Sequence, residues 1–379
     1  MIHVRASADG LPEGFVDLPR HIYADEPRWI PENPVSLERS FTDQNPWFDA
    51  GQCLTLCVPL KARLAVFLAD EAVVDDKKTA FFGYWETTGD EDADRDLFTT
   101  AQKWARDQGA EYLCGPINFS TYSRYRLLLS AEEGAYPFAG EPFNPPYYPQ
   151  ILRQMGFSSR SEAITQIAPA HTMSKVWRAR SDILDTVAQA GIRLEPLSHK
   201  TWLDNLLELH GLVDEMFADN FAYTPLTYSA FETMCNESYI RRTDPETSVI
   251  AYGPDGSIAG FFLFYPHYGP LLVQEAGDDR VESGDLSFAK HFPALKRRGN
   301  VAGIFKTGAV APAYRKKGLF SALTISAFKW GEGRYDRWFG ALVRKDNPSR
   351  RYADNIASDS RQYALFAKEL RSKDVPVPI

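Results

Sequence analysis

Short apolar runs separated by turn residues dominate the first half of the chain. Residues 53–60 and 63–70 predict two strands around a short turn, and residues 81–86 predict a third. Leu97, Ala101, Trp104 and Ala105 then recur at helical spacing behind an acidic stretch at 89–96, and Gly109 stops that helix. Tyr112 opens another apolar strand, closed by Gly115 and Pro116. Ahead of these elements, Pro19, Pro27, Pro31, Pro34 and Pro46 stand among Trp29, Phe41, Trp47 and Phe48, which predicts short turns packed by aromatic rings rather than a long helix. After the strand at Tyr112 comes an aromatic and polar loop carrying Asn118, Tyr122, Tyr125, Phe138, Phe143, Asn144, Tyr147 and Tyr148. Its composition suits either the wall of a ligand pocket or an irregular lid over the sheet. A short helix at 148–155 ends at Gly156 and Phe157.

The second half carries longer helical patterns. A run at 182–190 ends at Gly191, and a strand start follows at Ile192. Trp202, Leu203, Leu206, Leu207, Leu209 and Val213 predict one amphipathic helix, and residues 228–239 a second, with Phe221 in the loop between them. Residues 248–252 and 258–265 flank Gly253, Pro254, Asp255 and Gly256, a hairpin with the expected turn chemistry. The connection at 266–300 is long and polar, and it includes His267 and Glu275. Residues 338–343 predict a strand, Asp346, Asn347, Pro348 and Ser349 the start of a helix, and residues 362–366 a last strand. The pattern places the boundary between halves within residues 165–195.

The most informative stretch is 304–329, IFKTGAVAPAYRKKGLFSALTISAFK. An apolar strand runs into a turn holding Tyr314, Arg315, Lys316, Lys317 and Gly318, and a helix follows from Leu319. Backbone N–H groups at a helix start lack partners and carry partial positive charge, so a turn of this kind favours an anion. Gly318 has no Cβ to keep a ligand away from the backbone. The spacing is neither the Gly-Lys-Ser/Thr ending of a Walker loop nor the three glycines of a dinucleotide fingerprint. A plain alternative is a basic surface turn capping a helix.

Composition narrows the field. A chain of 379 residues suits two domains at about 150 residues each. Its 44% hydrophobic and 24% charged residues are those of a globular protein, and a net charge of −8 argues against a general nucleic-acid binder. No apolar run approaches the ~18 residues of a membrane helix, and the first residues lack a signal-peptide core, so the expected location is the cytoplasm. Cys53, Cys57, Cys114 and Cys235 are scattered without a histidine at metal spacing, which predicts reduced core thiols and no metal site.

Arg315, Gly318 and the lead-in Val310, Pro312 and Tyr314 resemble the pyrophosphate loop of the GNAT (GCN5-related) N-acetyltransferase superfamily, Arg/Gln-x-x-Gly-x-Gly/Ala. The third fixed position departs from the pattern, since Phe320 stands where Gly or Ala is expected. The order of elements in the second half also resembles that fold. Tyr148, Leu152, Met155, Gly156 and Phe157 look like the family's last helix and the turn into its final strand in a first copy that lacks the Arg-x-x-Gly loop.

The resemblance implies an α/β fold of two GNAT-like domains. Each has a central mixed, mostly antiparallel sheet flanked by helices: residues 1–170 without the cofactor loop, and residues 171–379 as the acyl-CoA-binding catalytic copy. It implies acetyl-CoA or another acyl-CoA as donor, an acyl carrier protein as a further donor, and a small-molecule amine as acceptor. The donor would be held by Ala309, Val310, Ala311, Tyr314, Arg315, Lys316, Lys317, Gly318, Leu319, Phe320 and Asn347.

An amine must lose a proton to attack a thioester, so a carboxylate, a histidine or a water chain is needed. No single residue stands out as the base: Glu275, Asp219 and His267 are each conceivable, and His210 reads as a helix-packing group. A backbone N–H within 307–310 would meet the oxyanion. The tyrosine that protonates the leaving thiolate in the family falls on Ala353, so Tyr352 beside it is the candidate acid. Asn118, Tyr122, Tyr148 and Phe221 are candidate acceptor contacts. Two further readings stay open: an aminoacyl-tRNA-dependent transferase of the kind that builds peptide bridges, and a thioester-binding module without turnover.

Overall fold

A computed structural model describes residues 1–6, 8–347, 350 and 354–370. Among these residues the strands are β1 (His3–Ala6), β2 (Gly51–Val58), β3 (Ala62–Ala69), β4 (Val73–Val74), β5 (Lys77–Thr87), β6 (Tyr112–Gly115), β7 (Leu127–Ser130), β8 (Ser158–Pro169), β9 (Arg193–Pro196), β10 (Val249–Tyr252), β11 (Ile258–Pro266), β12 (Ala302–Val310), β13 (Arg337–Arg344) and β14 (Asp359–Glu369). They join in one sheet, in the order β1-β2-β3-β5-β6-β14-β8-β13-β12-β11-β10-β9, with β4 beside β5 and β7 beside β14.

Pairing is antiparallel except at β5 with β6 and at β12 with β13. A parallel pair needs a crossover, and each has a helix to supply it: Glu91–Asp107 in the first half and Leu319–Trp330 in the second. Asp90 caps the first of these, its carboxylate accepting the Ala93 N–H at 2.9 Å, with Glu91, Asp92 and Asp94 in the first turn where the helix dipole favours acids. Its apolar face buries Leu97, Phe98, Ala101 and Ala105 against the sheet. Each fully buried Leu or Phe contributes about 1.5–3 kcal/mol relative to exposure. The Leu319–Trp330 helix buries Leu319, Leu323, Ile325 and Phe328 in the same way on the second half.

The two halves meet through exchanged strands. The last strand among the described residues, β14, lies between β6 and β8, and β8 lies between β14 and β13. The strand expected to close the second half is therefore hydrogen-bonded to first-half strands on both sides, from Asp359↔Ile167 to Ala367↔Ser158 on one edge and Phe366↔Gly115 on the other. The single helix expected around Trp202 breaks at Asn205 into His199–Asp204 and Leu206–Phe217.

In the first half β5 and β6 share only the pairs from Thr79↔Tyr112 to Phe81↔Cys114. Beside this short pairing Phe41 of the proline-rich segment and Phe67 of β3 pack at 5.0 and 4.5 Å from Phe119. The Asn118 carboxamide accepts the Tyr84 backbone N–H at 2.8 Å. All four cysteines are buried free thiols, as the sequence predicts. No helix of the described residues is long and apolar enough to cross a membrane.

Candidate active site

The corresponding place in the second half is open. The parallel pairing of β12 with β13 ends at Phe305↔Gly340. Beyond it β12 stays with β11 as far as Val310↔Gly260, while β13 follows β8 to Arg344↔Ala163, so the two strands part. Both are bulged just past the apex. Lys306 is the extra residue between Leu263↔Thr307 and Phe264↔Phe305 on one side, and Leu342 on the other has φ 56, its N–H donating to Thr165 Oγ1 at 3.1 Å. The N–H of Ala311 points toward β11, donating to the Ala259 carbonyl at 2.9 Å. Strand alternation turns the N–H groups of Gly308 and Val310 the other way, into the opening.

The opening is part of a cavity of about 1170 Å³. Single ligand sites are about 300–1,000 Å³, so this one has room for more than one small ligand. Its mouth is the basic turn. Beyond the short helical turn Pro312–Tyr314 the backbone is left-handed at Lys316 (φ 60) and again at Gly318 (φ 80), and the helix starts at Leu319. Gly318 does more than admit a ligand: a Cβ there would stand 2.6 Å from Ile183 Cδ1. Arg315 reaches across the mouth, its Nη2 2.9 Å from Met216 Sδ. Phe320 lies in the wall, its ring 5.5 Å from that of Phe262, and the cavity continues past it to Phe305 and Lys306.

The far end is built from both halves of the chain. Tyr122, Tyr125 and Arg126 come from the aromatic loop, and Asn220, Tyr223, Tyr239 and Arg242 from the second half. The Tyr122 and Tyr223 hydroxyls lie 2.7 Å apart, and Tyr223 donates to Asp214 Oδ1 at 2.6 Å. Burial pushes the Tyr122 hydroxyl up to about 12, and burial with the hydrogen bond to Asp214 pushes Tyr223 up as well. Lys306 lines the cavity, so water reaches it, yet protein surrounds it. Desolvation first, then the positive charge of Arg242, lowers its ammonium to about 8.

Of the donor contacts expected from sequence, Val310, Tyr314, Arg315, Lys316, Gly318, Leu319, Phe320 and Asn347 line this cavity. Ala309 and Ala311 turn to the core on the opposite face, and the Lys317 ammonium sits 5.7 Å from the Tyr314 ring, off the lining. Tyr122 lines the cavity, whereas Asn118, Tyr148 and Phe221 do not. Tyr148 donates to buried Glu86 at 2.8 Å, and Phe221 packs on the first-half core.

Glu275 lies outside the cavity on an exposed turn, where it accepts from the Tyr136 hydroxyl. His267 is also elsewhere. Its Nδ1 accepts the Gly269 N–H at 3.1 Å, its Nε2 lies 3.1 Å from the Tyr136 carbonyl, and burial lowers it to about 3, so it is neutral and engaged. Asp219 is exposed, and its side chain is not among the lining groups. His210 packs on Phe231 with its Nε2 2.8 Å from the Leu226 carbonyl, the helix-packing role expected. Tyr352 lies outside the described residues. No group of His, Cys, Asp or Glu among the described residues could hold a metal.

Sequence reading missed Lys306, Arg126, Arg242, Tyr223 and Asp214. One signal was available for the first: a lysine interrupts the apolar run from Ile304 to Val310.

No known family's sequence profile matches the chain. Protein YghO of Escherichia coli (strain K12) is 21% identical over 287 residues, 70% of this chain and 68% of that protein. A tandem GNAT protein from the clavulanic acid biosynthesis pathway superposes over 99% of this chain and 100% of its own, with a TM-score of 0.50 and 12% identity. A GCN5-related glucosamine N-acetyltransferase region of a fungal multi-domain GH3 β-N-acetylglucosaminidase has a TM-score of 0.53 and 11% identity, over 97% of this chain and 38% of that one. A probable N-acyltransferase of Enterococcus faecalis V583 has a TM-score of 0.52 and 11% identity, over 98% and 73%. With its mixed sheet flanked by helices, the crossover into the basic turn and a second copy of the same layout, the chain has the tandem GNAT fold.

Proposed function

We propose that the chain is an N-acyltransferase that moves an acetyl or longer acyl group from a CoA or carrier-protein thioester to the amine of a small molecule. The observation that carries this reading is the continuous cavity from the basic turn at Arg315 and Gly318, between the parted strands, to the hydroxyl chain at Tyr122. The donor's diphosphate would sit at the turn, on the N–H groups of 316–320 and the charges of Arg315 and Lys316, and its pantetheine arm would run beside Gly308 and Val310.

The acceptor's ammonium form would give one proton to the Tyr122 oxygen as Tyr122 donates to Tyr223 and Tyr223 to Asp214, leaving a neutral amine. Its nitrogen would then form the C–N bond at the thioester carbon. The oxyanion would meet the N–H of Gly308 or Val310. The C–S bond then breaks as the nitrogen loses its second proton to water, and the thiolate takes a proton, for which Tyr352 remains the candidate donor. Buried free thiols fit a reducing compartment, which supports the cytoplasm as the place of work.

The test is binding followed by turnover. CoA at 100 times its dissociation constant should raise stability by about 2.7 kcal/mol, read as a higher Tm. Arg315→Ala should abolish that rise without lowering the Tm of the free protein. Thiol release from acetyl-CoA should then depend on an added amine. An unchanged CoA shift in Arg315→Ala would reject the assigned donor site.

A further inference from the structure

Past the apex of the splay the cavity becomes strongly cationic. Lys306, Arg126 and Arg242 all line it. Lys306 feels the charge of Arg242 first and then those of Arg126 and Arg124, with Glu141 opposing. Arg126 is 6% exposed, and its Nε and Nη1 are buried without a hydrogen-bond partner. Its guanidinium lies over the Tyr125 ring at 4.1 Å, which covers one face and leaves its N–H edge for something else. Arg242 is stacked over Tyr239 at 4.5 Å.

No carboxylate among the described residues makes an ion pair with Arg126, Lys306 or Arg242. Glu141 is already held by Arg361 Nη1 at 2.6 Å, by the Phe138 N–H at 2.9 Å and by the Tyr363 hydroxyl. Arg124 is itself 3.7 Å from Glu32. Gly140 leaves the Lys306 ammonium its place, since a Cβ there would stand 3.2 Å from Nζ. Buried guanidinium N–H groups without partners cost stability, and three neighbouring cations repel, so this end of the cavity is incomplete without an anion.

We infer that the acceptor carries an anionic group, a carboxylate or a phosphate ester, bound by Arg126, Lys306 and Arg242, with its amine directed toward Tyr122. The donor's diphosphate does not compete for this place. From Lys306 to Val310 is four residues of strand, about 13 Å at the usual rise, and the basic turn lies beyond that. An anion here would also favour the charged form of Lys306, which burial first and then the charge of Arg242 disfavour. The inference deepens the acyltransfer reading and rests on it.

The experiment uses the full chain with acetyl-CoA and matched acceptor pairs that differ only in the anion. Glycine is set against glycinamide, β-alanine against β-alaninamide, glutamate against glutamine, and O-phosphoethanolamine against ethanolamine. The expected result is a kcat/KM at least about 10-fold higher for the anionic member of the best pair, since charge-assisted hydrogen bonds are roughly twice as strong as neutral ones. The carboxylate and phosphate arms tell the two sources apart. Lys306→Met, a change at a solvent-reached position, should abolish the preference while the CoA shift stays, and Arg126→Lys should weaken it.

Equal or better turnover of the neutral member in every pair would overturn the anion site and leave acyltransfer standing. If no amine of either kind is acylated although CoA binds, acyltransfer fails and binding decides the site. Stabilisation by the anionic members alone, lost in Lys306→Met, supports it, and equal shifts from both members overturn it.

Discussion

The hydroxyls of Tyr122 and Tyr223 meet at 2.7 Å inside the cavity, one from each half of the chain. Because Tyr223 donates onward to Asp214 at 2.6 Å, its oxygen accepts from Tyr122, and the Tyr122 oxygen keeps its own lone pairs for a donor in the cavity. In the proposed reaction that order gives a proton one direction to travel, from the acceptor's nitrogen to the Asp214 carboxylate. Tyr223→Phe breaks the chain and leaves Tyr122 in place. A loss of general-base assistance corresponds to about 10²–10⁴ in kcat. The KM for the donor should stay, and the pH profile should shift upward, since only amine already deprotonated in solution reacts. A wild-type kcat in this variant would sink the relay.

Gly318 and Ile183 make a second testable pair. An alanine at 318 would have to hold φ 80, at a cost of about 1–2 kcal/mol, and place its Cβ 2.6 Å from Ile183 Cδ1. Ile183→Ala removes the obstacle. In urea titrations the double variant should therefore be more stable than the sum of the single losses, by a coupling of 0.5–3 kcal/mol. Strict additivity would show that the contact does not constrain the turn.

How much of this was legible in sequence depends on the range of the interaction. The strand, turn and helix of 304–330 could be read because each is set by its own residues: an apolar run, a glycine that takes a positive φ, and a helix that buries nearly every side chain. The hairpin of β10 and β11 was legible for the same reason. The exchange of β8 and β14 was not, since alternation along residues 359–369 reports a strand and says nothing of which strands flank it. The cationic end was equally hidden. Arg126, Arg242 and Lys306 come from a loop, a turn and a bulged strand, and only the sheet brings them together. Glu275 misled because acidity in a long connection is visible, whereas its position on an outer turn is not.

Stability should fall as pH rises through the weakly acidic range. Burial raises Glu86, which accepts from Tyr23 at 2.9 Å and Tyr148 at 2.8 Å, from 4.5 to about 7. Burial likewise raises Asp94, bound by Trp85 Nε1 at 3.0 Å and Thr87 Oγ1 at 2.7 Å, from 3.8 to about 6. Across these windows the folded chain holds more protons than the unfolded one, so each step up in pH favours unfolding. Glu32, lowered by Arg63 and Arg124, works the other way: its stabilisation is lost only as pH falls through its folded value. Glu86→Gln keeps an acceptor for the tyrosines and removes a titration. The wild-type urea midpoint should drop between about pH 5 and about pH 7, and the variant's should drop less. Parallel curves would mean Glu86 does not titrate there.

The exchanged strands make a prediction about the halves themselves. Residues 1–170 alone keep β8 but lose β14, so β6 is left with an unpaired edge and the two are no longer joined. Residues 171–379 alone keep β14 but lose β8, the strand that pairs with both β13 and β14. Each piece then carries long unpaired strand edges with buried side chains such as Ile167, Tyr363 and Phe366 on them, which is a recipe for aggregation. Expressed singly, both should be insoluble or unfolded by circular dichroism. Expressed together, with a tag on one only, they should copurify, because β8 and β14 reform the sheet between them. A soluble, cooperatively unfolding 171–379 that binds CoA by itself would show that the second half does not need the borrowed strand.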